Sequence, residues 1–93
     1  MDNMKIIIKK FNYLDDYYEI VDNYDKKYYL EIKNGSIECK ILTNTKKDVG
    51  FQYLDINDLI KIYYLEVNNK KIIKKIIINE KYDLIIDSDD SDY

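Results

Sequence analysis

Three features of this 93-residue sequence predict a mainly β domain of five to six strands. Isoleucine and tyrosine dominate the apolar side chains and favour a pleated, half-buried surface, while alanine, the best helix former, is absent. Asn34-Gly35 stands between two alternating segments, a strong hairpin signature because a two-residue type I′ turn needs positive φ at both positions. Short runs rich in Ile, Tyr and Val recur along the chain, separated by clusters of Asn, Asp and Lys.

Residues 4–11 and 17–22 read as the first two strands, parted by Asp15-Asp16. The alternation of Ile6 and Ile8 changes phase at Phe11 and Tyr13, which predicts a bulge near Lys9-Lys10. Asn23-Tyr24-Asp25-Lys26-Lys27 then leads into a hairpin over residues 28–42. With Lys33 opposite Ser36, Ile32 meets Ile37, Leu30 meets Cys39 and Tyr28 meets Ile41 on one face. Tyr29, Glu31, Lys33, Glu38 and Lys40 occupy the other.

A polar connection over residues 43–50 follows. Asp55 and Asp58 fit the cap of a short helix, and the apolar residues at 59, 63 and 67 would extend it. Ile60, Ile62 and Tyr64 alternate as in a strand, and the weight of Ile, Tyr and Val favours a strand over residues 59–67. Asn68-Asn69-Lys70-Lys71 turns the chain into a strand over 72–79, with a short last one expected at 82–86. A long first strand, an Asn-Gly hairpin, a longer connection and a final hairpin suggest a small antiparallel sheet or an OB-like barrel. One β-rich domain over residues 1–86 and an acidic tail over 87–93 are expected.

The residue inventory narrows the chemistry. Histidine is absent, which removes the commonest general base and metal ligand, and neither Gly35 nor Gly50 belongs to a phosphate-cradling loop. Cys39 is the single cysteine, so no internal disulfide forms, and the hairpin register places it inward as an apolar filler. Glu31 opposite Glu38 forms a carboxylate pair, which Lys33 and Lys40 balance on a solvent face. No enzymatic activity, metal or cofactor is therefore expected. The apolar runs are too short for a signal core or a spanning helix, so no membrane partner and a cytoplasmic location are expected, in the host if the protein is viral. Alanine, arginine and proline are missing while Ile, Lys, Asn and Tyr abound, the mark of an AT-rich genome such as those of many viruses, phages and low-GC bacteria.

Recognition remains as the expected task, in two forms. The first is a small inhibitor or accessory factor of viral or phage type that binds a host protein. Eleven tyrosines exceed what one small core can hide. Tyr17, Tyr18, Tyr29, Tyr63 and Tyr64, with Glu31, Glu38, Asp89, Asp90, Asp92 and Tyr93, are its candidate surface, and a net charge of −3 extends the reading to mimicry of nucleic acid. The second is single-stranded nucleic-acid binding by an OB-like barrel, with tyrosines as stacking platforms and Lys61, Lys70, Lys71, Lys74 and Lys75 along the phosphates. The acidic end, closing on Tyr93, resembles the acidic, aromatic-terminated tails of some single-strand binding proteins, a likeness that implies recruitment of protein partners. Edge strands rich in Ile and Tyr also suggest homodimer formation.

Overall fold

The structure, a computed structural model, describes residues 1–81. The strand expected at 82–86 and the tail with Asp89, Asp90, Asp92 and Tyr93 lie outside the described residues. Among the described residues seven strands form: β1 (Asp2–Leu14), β2 (Tyr17–Asp22), β3 (Lys27–Lys33), β4 (Ser36–Ile37), β5 (Lys40–Thr43), β6 (Leu59–Val67) and β7 (Lys70–Ile78). A 3-10 turn, Phe51–Tyr53, precedes β6.

The long first strand serves two neighbours. Its first half pairs with β6, from Asp2 opposite Tyr64 to Ile7 opposite Leu59, and its second half pairs with β2, from Ile8 opposite Asp22 to Leu14 opposite Tyr17. The register shifts between Ile8 and Lys10, where the phase change of the apolar pattern predicts a bulge. Backbone groups of Ile8 freed there bond the turn before β6: Ile8 N–H donates to Asp58 O at 2.9 Å, and Asn57 N–H donates to Ile8 O at 2.7 Å. The kink in β1 is thereby fixed by a segment distant in sequence.

β2 pairs antiparallel with β3, and β6 with β7. A parallel bridge between Tyr29 and Ile72 joins β3 to β7. The path β1-β2-β3-β7-β6 therefore returns to β1, a closed five-stranded barrel of OB-like order with β4 and β5 as short additions. Its interior holds Ile6, Ile8, Ile20, Tyr28, Leu30, Ile41, Leu54, Ile60, Ile62, Ile73, Ile76 and Ile78. Burying one such side chain stabilises the fold by about 1.5–3 kcal/mol. Cys39 packs half-buried against this core.

Three expectations need correction. The Asn34-Gly35 hairpin takes the expected register at Lys33–Ser36 and Ile32–Ile37, but Leu30–Cys39 and Tyr28–Ile41 do not pair. After Glu38 N–H bonds Glu31 O at 2.8 Å, the chain leaves β3, and β5 runs parallel to β7 from Lys40–Lys75 to Thr43–Ile78. Beyond Tyr29 the outer edge of β7 is open, and residues 40–43 fill it while burying Ile41 and Thr43. The sheet is consequently mixed, not wholly antiparallel. The helix admitted near residues 55–67 does not form either. Asn57 adopts φ 76°, left-handed backbone that stops a helix, and the Asp58 carboxylate accepts the Asp55 N–H at 2.8 Å to close a turn. Residues 59–67 are a strand, as their alternation favours.

Candidate functional site

Alternation along each strand sends one set of side chains into the barrel and leaves the other on its outside. On the outside of β2 and β3, Tyr17 lies opposite Glu31 and Glu19 opposite Tyr29. Leu14 and Asn12 of β1 flank this pair of rows on one side, and Ile72 of β7 flanks it on the other. The Tyr17 and Tyr29 rings meet edge to face, with centroids 5.7 Å apart and planes at 69°. Lys70 holds its ammonium 5.3 Å from the Tyr17 centroid and 5.4 Å from that of Tyr29. Lys74 Nζ donates to Glu31 Oε1 at 2.9 Å, and this bond holds the Glu31 carboxyl below the usual range.

Glu19 is the buried acid of the face; it accepts from Asn12 Nδ2 at 2.7 Å. Burial first, and then the nearby Glu19, pushes the Tyr29 hydroxyl upward, so Tyr29 stays neutral over the physiological range. Tyr17, Glu31, Lys70, Ile72 and Lys74 line a groove of about 240 Å³ that ends at the β6–β7 turn, with Leu65, Val67 and Asn68 as its rim. The Tyr17 ring, with Tyr29 edge to face beside it, the Lys70 ammonium and the hydrogen-bonding groups of Glu31 and Lys74 suit a flat, polar or anionic ligand.

The tertiary structure thus merges residues from both expected sets. Tyr17, Tyr29 and Glu31 of the protein-binding set join Lys70 and Lys74 of the nucleic-acid set. The others are dispersed. Tyr18 turns inward, stacked on Phe51 with centroids 4.6 Å apart, and Tyr64 packs against the core. Tyr63 lies on the outside of β6, against Lys61 at 5.3 Å and Lys75 at 5.0 Å, remote in register from Tyr17 and Tyr29. Glu38 is exposed beyond β4, and Lys71 lies opposite Glu66 near the β6–β7 turn.

Asn12, Glu19 and Ile72 are absent from the expected sets. Only strand register brings Ile72 to the groove and Asn12 and Glu19 to the face beside it, and the loop 23–26 gives no simple two-residue turn from which the β2–β3 register could be read. At Cys39, burial pushes the thiol up to about 12, which makes it a poor nucleophile at neutral pH. No helix among the described residues is long and apolar enough to cross a membrane. Comparison with protein-family models, with curated proteins and with solved structures gives no match.

Proposed function

We propose that this protein binds a short single-stranded segment of nucleic acid across β2 and β3. The observation that carries the reading is the Tyr17–Tyr29 pair with Lys70 over both rings, set on the outside of the second and third strands of a closed OB-like barrel. That face, between the turn after the first strand and the turn between the last two ring strands, is where OB barrels take oligonucleotides and oligosaccharides. Charge favours the nucleic acid. By register Lys10, Lys27, Lys33, Lys70 and Lys74 border the face, against Glu19 and Glu31 within it and Asp15 and Asp16 in the β1–β2 turn at its end.

The net charge of −3 does not oppose this reading. All fifteen lysines fall within residues 1–81 with thirteen of the eighteen acids, so that part carries +2 and residues 82–93 carry −5. The ligand's bases would stack on the tyrosines as Lys70 swings from the rings toward a phosphate. The protein-inhibitor reading has less support, because its tyrosines are divided between the interior and two separate outer faces.

Fluorescence anisotropy with a labelled single-stranded oligonucleotide tests the proposal. Binding is expected at low salt, weakening steeply as salt rises. Replacing Tyr17 and Tyr29 together by Ala should weaken it by at least about fivefold, the lower end for one lost stacking contact of about 1–3 kcal/mol. Lys70→Ala should lower the salt slope by roughly 0.7. No saturable binding by the wild type at low salt, or an unchanged affinity in the double tyrosine variant, overturns it.

A further inference from the structure

The outside of β1, β6, β7 and β5 carries a second cluster that the groove does not use. Lys5 of β1 lies directly opposite Lys61 of β6, and Lys75 of β7 lies beside Lys40 of β5. The two pairs occupy adjacent rows around Tyr63, whose ring already takes the ammonium groups of Lys61 and Lys75 at 5.3 and 5.0 Å. Like charges set opposite one another across a ladder are destabilising, and both pairs have this arrangement. Among the described residues none of the four lysines forms an ion pair, and Asp48, across from Leu42 at the β5 edge, is the one carboxylate at a register position of this face. Four cations with so little compensation call for an anionic occupant.

We propose that this face holds the chain's own acidic segment, through Asp87, Asp89, Asp90 and Asp92. Residues 82–93 carry five aspartates and no lysine, the complement of the four uncompensated lysines. The point of departure also fits. Asn79 lines a recess together with Lys5, Leu59, Lys61 and Ile77, and the described chain ends two residues later at Lys81, which is tied to Tyr53, Asp55 and Asp58 beside the start of β6. Four adjacent strands span roughly 15 Å, whereas nine extended residues reach about 30 Å. Tethering supplies the segment at an effective concentration on the order of millimolar, which an outside polyanion would have to exceed.

The opposite groove is a poorer host. Its cations are engaged, Lys74 on Glu31 and Lys70 over two rings, and its aromatic surface suits flat bases, which an aspartate segment lacks. The segment therefore neutralises one side of the barrel and leaves the Tyr17–Tyr29 groove open. This contact is independent of what binds in that groove.

Amide chemical shifts of the full chain, compared with those of the variant Asp87→Asn, Asp89→Asn, Asp90→Asn, Asp92→Asn, test the proposal. At low salt the differences should fall on Lys5, Lys40, Lys61, Tyr63 and Lys75, and they should collapse at about 0.5 M salt, where screening is short-ranged. The pair variant Lys61→Ser, Lys75→Ser should reciprocally move the amides of residues 87–92. Differences confined to residues 82–93, or gathered on Tyr17 and Tyr29, overturn the proposal. A pattern that vanishes on dilution places the segment on a second copy and overturns the contact within one chain. Oligonucleotide binding enters none of these readouts, so failure of the groove's function leaves this test intact.

Discussion

Asp22 shows how one buried polar side chain organises its surroundings. Its Oδ1 accepts the N–H groups of Tyr24 and Lys26 at 2.8 and 2.9 Å, and its Oδ2 accepts the buried Tyr28 hydroxyl at 2.8 Å. The carboxylate thus pins the β2–β3 turn to the core, and its satisfied lone pairs make its burial tolerable. Tyr28→Phe removes the partner of Oδ2 and should cost about 1–3 kcal/mol, read as a lower urea midpoint at unchanged slope. Burial and then the Asp22 bond push the Tyr28 hydroxyl upward, as burial pushes the Cys39 thiol to about 12. Both groups favour folding only while protonated in the unfolded chain as well. Their contribution is complete below the unfolded thiol value near 8.5 and is lost as pH climbs toward 12. Chemical denaturation across pH should show a plateau near neutrality and a decline above about pH 9, with the first part of that decline missing in Cys39→Ser.

At the scale of the element, turn chemistry decides where strands begin. Asn34 and Gly35 adopt φ 53° and 77°, and Asn68 and Asn69 adopt φ 52° and 65°, so these two hairpins use left-handed backbone at both turn positions, whereas the Asp15-Asp16 turn between β1 and β2 does not. Asn69→Gly should be neutral or slightly stabilising. Asn69→Val forces a β-branched residue into that region and should cost about 1–3 kcal/mol, measurable as a lower melting temperature. Turns nevertheless determine only local register. The Asn34-Gly35 turn sets two residue pairs, and then burial of Ile41 and Thr43 against β7 outweighs continuation of the ladder with β3.

Across the whole molecule, ring closure distributes stability. β1 and β7 each hold more than one neighbour, whereas β4 has two residues and pairs with β3 alone. Amides of β1, β6 and β7 should therefore exchange with solvent only through global unfolding, while those of β4 and of residues 44–58 exchange by local opening. Hydrogen exchange checks this ordering. Among the described residues β4 and β5 stand at the two ends of the strand order, and both are short.

Local pattern and turn residues were sufficient for much of this fold. Alternation identified β2, β6 and the bulge of β1, and Asn34-Gly35 placed the hairpin, because side-chain period and positive φ are properties of neighbouring residues. The parallel bridge of Tyr29 to Ile72, the departure of residues 40–43 and the gathering of Tyr17, Tyr29, Lys70 and Lys74 depend on residues far apart in the chain. No local preference encodes those pairings. They are decided by which open ladder edges and which apolar surfaces the strands cover in the closed barrel.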